Sequence, residues 1–235
     1  MNRTRLALGL ALSAATPAFA QLLNGSFETG VAYPGGLNIF SSGTPAPWVA
    51  TSFTPDLYDN TGVDGWAIGT GIGPYNGMFQ GMPAAAGVRF IGFGASTGFG
   101  GINEAFQQTT ALLTPGTTYT VSAQMAADDA GKAIPYGGPY FGRGQVDIYF
   151  NSALVGTFTQ NTASMTWQAR SISFVAPAAT SAVFTFVAQL DPVALANGTP
   201  ANSYIGLDNF RLIPAPGSMA LLGLAGLACA RRRRL

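Results

Sequence analysis

The chain runs to 235 residues with no histidine, one cysteine at Cys229 and a formal charge of +1. Without histidine it cannot build a Ser-His-Asp triad, a His-ligated zinc site or an imidazole base, and with its one cysteine in the tail, residues 21–213 can close no disulfide. Six of the eleven basic residues sit at the two ends (Arg3, Arg5 and Arg231 to Arg234), so residues 21–213 carry five bases against ten acids, a charge of −5 that argues against a nucleic-acid partner.

At the N-terminus Arg3 and Arg5 precede the apolar run Leu6 to Ala15, and Ala18-Phe19-Ala20 sets small residues where a signal peptidase reads them. This pattern predicts a secretory signal peptide over residues 1–20; the competing reading, a first helix of the domain, would be a short one. Residues 21–213 then have the length of one domain, enough to bury a core without disulfides.

The stretch Gly69 to Gly101 holds "GTGIGPYNG" and "GFGASTGFGG". A phosphate-binding loop needs a following helix and, in the Walker form, a lysine; neither is written here, so strand edges and long loops are expected. The acids Asp56, Asp64, Glu104 and Asp128 lie in Gly-, Asn- or Ala-rich surroundings. No spacing pairs them for carboxylate-dependent glycoside hydrolysis.

Further on, the Pro115-Gly116 turn launches Tyr119, Val121, Ala123 and Met125 on one face against Thr118, Thr120, Ser122 and Gln124 on the other, a period of two. "QVDIYF" points Val146, Ile148 and Phe150 inward, and Asn151-Ser152 turns it into "LVGTF" as a hairpin. "SISFV", "AVFTFVA" and "IGLDNFRL" complete the strands, and the region lacks any long helical period. An all-β antiparallel sandwich or barrel is expected.

The tail begins at Pro214-Ala215-Pro216, continues through the apolar run Met219 to Ala230 and ends in Arg231, Arg232, Arg233 and Arg234. From Ile213 to Ala230 there are 18 residues, at the lower limit of the roughly 17–25 that span a bilayer. The arginines would stay on the cytoplasmic side, leaving residues 21–213 outside. A buried C-terminal helix is the alternative, although no polar residue marks an exposed face. This three-part tail, residues 214–235, resembles the PEP-CTERM sorting signal of Gram-negative bacteria, with Ala215 in place of the family's glutamate. The resemblance implies a transient inner-membrane anchor, an exosortase-type membrane peptidase as partner, and delivery to the outer surface or extracellular matrix.

"LLNGSFETG", "AFQQTTALLTPGTTYTVSAQM" and "YIGLDNFRL" together look like the galactose-binding-like jelly roll of carbohydrate-binding modules. The resemblance implies a sandwich whose first and last strands are adjacent. The expected function is that of a non-catalytic surface or matrix protein associating with exopolysaccharide. A structural or adhesive coat protein without a specific ligand is the alternative, and a carboxylate-dependent glycosidase a third reading.

Two sets of site residues follow. Sugars present apolar CH faces that exposed rings can stack on, and Trp48, Tyr58, Trp66, Tyr75, Tyr136 and Tyr140 lie in Gly/Pro-rich, loop-like contexts. Trp48 and Trp66 could equally cap the core, where Trp167 is assigned. The second set is a structural Ca2+ site. Alternation puts Asp208 on the inward face with Phe210 and Leu212, and the jelly-roll resemblance sets Glu28 on the neighbouring first strand. Two acids so placed repel unless a cation lies between them, and Ca2+ takes such oxygens. Otherwise Asp208 would bond backbone amides and Glu28 would be solvated.

Overall fold

The alternation written into residues 118–125 becomes one of thirteen strands among the described residues of the computed structural model, which are 22–29, 45–59, 66–67, 79, 82–97, 101–127, 140–141, 144–160, 165–190, 192 and 202–215. In chain order the strands are β1 (Val49–Ser52), β2 (Asp56–Asp59), β3 (Trp66–Ala67), β4 (Arg89–Ser96), β5 (Ile102–Asn103), β6 (Ala105–Thr109), β7 (Thr118–Ala127), β8 (Tyr140–Phe141), β9 (Gly144–Phe150), β10 (Ala153–Gln160), β11 (Gln168–Val175), β12 (Val183–Leu190) and β13 (Asn202–Pro214). They form two sheets, one ordered β1-β6-β12-β9-β10 and the other β11-β7-β13-β4-β2-β3, with β5 and β8 attached to β4 and β13. Apart from the short parallel pairs β2–β3 and β8–β13, the pairings are antiparallel. The chain is an all-β sandwich.

The space between the sheets is filled as the alternation requires. Tyr119, Val121, Ala123 and Met125 from β7 share one core with Val146, Ile148 and Phe150 from β9 and with Phe184 and Phe186 from β12, the neighbour of β9 in its sheet. The β9–β10 hairpin turns at Asn151 and Ser152, both at positive φ (48° and 68°), as a tight two-residue turn demands.

Three expectations change. First, the glycine-rich stretch contains β4, which is buried along its whole length and pairs with β13 on one side and β2 on the other. Its glycines serve side-chain packing: a Cβ at Gly92 or Gly94 would run into the ring of Tyr204, and at Gly92 into Tyr58 as well. Second, residues 22–29 form a turn and not a first strand, with Asn24 and Phe27 at positive φ. β1 pairs with β6 in the sheet opposite β13, so among the described residues the first and last strands are not neighbours; what lies against β13 is the turn, through the Phe210 amide donating to the Gly25 carbonyl at 2.9 Å. Third, Asp208 does not share a face with Phe210. The β13–β7 register slips between Asp208 and Arg211, and Asn209 sits at φ 52°. One extra residue at this bulge reverses the alternation. Phe210 and Leu212 enter the core with Ile205 and Leu207, while Asp208 falls on the other side of the sheet.

That other side is itself partly covered. Tyr58, Phe79, Met82, Phe90, Ala126 and Tyr204 make a second, smaller apolar cluster, with Met165 and Trp167 packed against it. Trp167, expected in the core, is a half-buried lid over this cluster: its ring lies 5.2 Å from Phe90 and its Nε1 donates to the Pro83 carbonyl at 2.7 Å.

Candidate functional site

The turn 22–29 brings Glu28 to the bulge of β13. It is pinned from three sides: the side-chain amide of Gln108 pairs with both backbone groups of Leu23 at 2.6 and 2.8 Å, Trp48 Nε1 donates to the Asn24 carbonyl at 2.9 Å, and Phe27 inserts fully into the core. The chain at 86–89 then lies across both acids. Val88 and Arg89 amides each donate to Glu28 Oε1 at 2.9 Å, the Ala86 amide donates to Asp208 Oδ2 at 2.8 Å, and the Asn209 amide donates to Asp208 Oδ1 at 2.6 Å.

Asp208 is fully buried. Burial pushes its carboxyl up to about 7, against the pull of three backbone amides, and the charge of Glu28 pushes the same way. The structure therefore brings together the two acids named from the sequence, on the opposite face of the sheet from the one expected. Glu28 is half-buried and accepts two backbone amides, and Asp208 bonds amides as the alternative supposed. Arg89 Nη1 donates to the Glu28 carbonyl at 2.9 Å, so a cationic group already stands beside the pair. For calcium the two carboxylates are hard donors of the right kind, although the contacts they make are to backbone amides. Among the described residues no group of three or more acids is placed to hold a metal.

Further along the same face lies a second acid pair, which sequence spacing did not suggest. The Tyr204 hydroxyl donates to Asp56 Oδ2 at 2.5 Å and lies 3.2 Å from the Tyr58 hydroxyl. Burial pushes Glu104 up to about 8, with the charge of Asp56 adding to it, and Glu104 Oε2 accepts the Gly94 amide at 2.6 Å. Burial likewise holds the Tyr204 phenol well above its ordinary value. Both shifts run toward the protonated form, in which Tyr204 is a donor.

Beside Glu28 an open groove of about 720 Å³ runs between the turn and the end of β13. Its polar lining comes from Asn24, Ser26, Glu28, Thr29, Asn209 and Arg211. Asn24 is committed to the turn, bonding Thr29 through both side-chain ends, while Arg211 Nε reaches Asn209 Oδ1 at 3.3 Å. Sequence reasoning missed the groove because its two walls lie about 180 residues apart in the chain.

Of the sugar-platform candidates, two are corrected outright. Trp48 is 1% exposed and packs against Phe27, Phe106, Phe186 and Phe210, with ring centroids 5.2 to 5.9 Å apart. Tyr58 is 2% exposed and stacks on Phe90 at 5.0 Å. Neither can offer a face to a ligand, because each fills space that the folded sheets enclose. The backbones of Trp66 and Tyr140 pair with β2 and β13, while their side chains lie outside the described residues. Tyr75, Tyr136, Asp64 and Asp128 lie outside them too, as do the signal-peptide residues Ala18 and Ala20, and Pro216 with Arg231 to Arg234 in the tail. Pro214 and Ala215 are described: β13 ends on Pro214, and the Ala215 amide donates to the Thr118 carbonyl at 2.8 Å, so the first three residues of the expected span from Ile213 to Ala230 belong to the sandwich and residues 216–230 are what is left for the anchor. No helix among the described residues is long and apolar enough to cross a membrane.

No family model and no curated protein matches this chain. Solved structures do. The Stig cyclase Fisc from Fischerella sp. TAU, in complex with (3Z)-3-(1-methyl-2-pyrrolidinylidene)-3H-indole, superposes with a TM-score of 0.50 at 14% identity, over 84% of this chain and 98% of that one. A cyclase from the same organism, in complex with 4-(1H-indol-3-yl)butan-2-one, gives 0.49 at 14% identity, over 83% and 96%. TmCBM61 in complex with β-1,4-galactotriose gives 0.45 at 12% identity, over 83% and 97%. At such identities the likeness to Fisc speaks for the fold alone, and that fold is the β-sandwich described above.

Proposed function

We propose that this chain is an exported, non-catalytic surface or matrix protein that associates with extracellular polysaccharide. The groove beside Glu28 carries the reading. Hydroxyl-rich ligands are recognised by convergent hydroxyls, carboxylates and guanidinium groups, and Ser26, Glu28 and Arg211 line one open groove of suitable size. Buried Asp56 and half-buried Glu104 fit a structural role better than a catalytic one, since each is bonded within the sandwich, to Tyr204 and to the Gly94 amide. A structural Ca2+ ion held by Glu28 and Asp208 belongs to the same reading, and it would offset the repulsion within that pair. The jelly-roll and sorting-tail resemblances supply the address: export, temporary retention in the inner membrane, and processing near Pro214-Ala215-Pro216 by an exosortase-type peptidase.

The test is a glycan array with a pull-down on bacterial exopolysaccharide, using the full chain and Arg211→Ala. Binding that falls about tenfold or more with Arg211→Ala, as loss of a charged hydrogen bond would give, supports the groove. A wild-type chain that retains no polysaccharide defeats the reading and leaves the structural or adhesive alternative. One observation favours that alternative: among the described residues Phe53 is the one exposed large aromatic.

A further inference from the structure

Four chain segments meet at one pole of the sandwich, the pole at which β13 leaves the domain. The Thr110 amide donates to the Ala182 carbonyl at 2.8 Å, the Asn151 amide to Val183 at 2.9 Å, the Gly116 amide to Ala176 at 2.8 Å, and the Ala215 amide to Thr118 at 2.8 Å. These bonds tie together segments 109–118, 150–154, 175–183 and 213–215. None of the four contains Asp, Glu, Lys or Arg. They do contain four of the seven exposed large apolar side chains among the described residues: Leu112 at 58%, Leu154 at 56%, Val175 at 61% and Ile213 at 54%. An uncharged end tipped with exposed leucine, isoleucine and valine is an unusual surface for a lone soluble domain.

The chain beyond this pole names what covers it. Ala215 is the last described residue and is bonded to the sheet, and only Pro216, Gly217 and Ser218 separate it from the apolar run Met219 to Ala230. Four Cα–Cα steps reach at most about 14 Å. The headgroup layer occupies roughly 5–8 Å of that distance. With the apolar run in a bilayer, that leaves the pole no more than about 9 Å from the lipid surface. We infer that this pole is a lipid-facing surface, on which Leu112, Leu154, Val175 and Ile213 rest in the headgroup layer while the chain is anchored. The inference rests on the membrane-anchored tail of the proposed function. Its own content is the orientation: the sandwich stands upright with the exit pole down and Phe53, near the far end, about 25–30 Å away along the strands. Because the pole lacks bases, contact depends on apolar insertion and not on anionic lipid.

The experiment uses the full chain carrying Cys229→Ser and one of Leu112→Cys, Val175→Cys or Phe53→Cys, each labelled with a thiol-reactive fluorophore and reconstituted into phosphatidylcholine vesicles. All three positions are exposed, so the fold is not at stake. Flotation with the vesicles reads anchoring, and quenching by headgroup-spin-labelled lipid reads contact. The expected result is flotation of all three, with labels at 112 and 175 quenched at least about twofold more than at 53, as interfacial insertion requires, and unchanged when anionic lipid is added. Flotation with equal quenching at the three sites overturns the orientation and leaves the anchor standing. Failure to float overturns the anchor and the orientation together. Excimers between copies labelled with pyrene at 112 or 175 would show that a second copy, not lipid, covers the pole.

Discussion

Asp208 makes the stability of this sandwich fall as pH rises, and Asp208→Asn isolates the effect. Burial raises its carboxyl from 3.8 to about 7 in the folded chain. Between those values the folded state keeps a proton that the unfolded state has released, so stability is highest below pH 4 as far as this group is concerned. It declines through the interval, and above pH 7 the full cost is present. A carboxyl whose pKa rises on folding by about three costs about 4 kcal/mol once it is ionised. Glu104, raised from 4.5 to about 8, adds a decline of the same sign reaching about one pH unit higher. Urea unfolding of wild type and Asp208→Asn at half-unit steps from pH 4 to 8.5 should show a clearly shallower decline in the variant, with the part due to Glu104 remaining. The proposed calcium ion would act in the opposite direction, because it would bind the ionised pair. At a hundred times its dissociation constant it adds about 2.7 kcal/mol. At roughly 2–4 °C per kcal/mol for a domain of this length, the melting midpoint rises by about 5–11 °C. The rise should be larger at pH 8 than at pH 5 and absent from Asp208→Asn. Identical pH slopes in the two proteins would refute the burial argument; equal midpoints with calcium and with chelator at pH 8 would remove the ion.

Trp48→Ala should destabilise the domain by about 3–5 kcal/mol in urea, since it empties a site among four aromatic rings, whereas Trp48→Phe keeps most of the packing and loses about 1–3 kcal/mol by leaving the Asn24 carbonyl without its donor. A Trp48→Ala protein of wild-type stability that loses sugar binding would restore the exposed platform. Gly25→Ala should cost about 1–3 kcal/mol, because a Cβ there collides with the backbone oxygen of Phe210, which cannot swing aside as a side chain could. Hydrogen exchange at the Phe210 amide, which donates to Gly25, should accelerate in that variant, and an unchanged rate would mean that the turn is not held as described.

The parts of this structure that can be read from the sequence share one physical condition: one face of the strand is buried and the other is wet. β7 and β9 meet it, with alternating buried and half-buried positions, and their inward residues are those that the alternation names. β4 does not. Both of its faces are covered, one by the core and one by the second cluster, so no alternation is written into it, and Gly92 and Gly94 look like loop residues. The reason for those glycines lies in Tyr58 and Tyr204, at far-off points of the sequence, whose rings need the space. Trp48 misleads for a related reason: its surroundings are a Pro-rich loop, and only the turn at 22–29, folding over it from elsewhere in the chain, makes it core. The acid pairs show how far such distant effects reach. The jelly-roll resemblance pairs Glu28 with Asp208, but by a face assignment that the Asn209 bulge reverses, and they still meet because the chain at 86–89 closes over that side of the sheet. Asp56 and Glu104, 48 positions apart, carry no signal at all, because what brings them together is that β2 and the chain at 102–104 both lie along β4. Period-two patterning reports a single layer of burial, and the second layer on the outer face of this sheet, which holds both acid pairs, is what that patterning could not report.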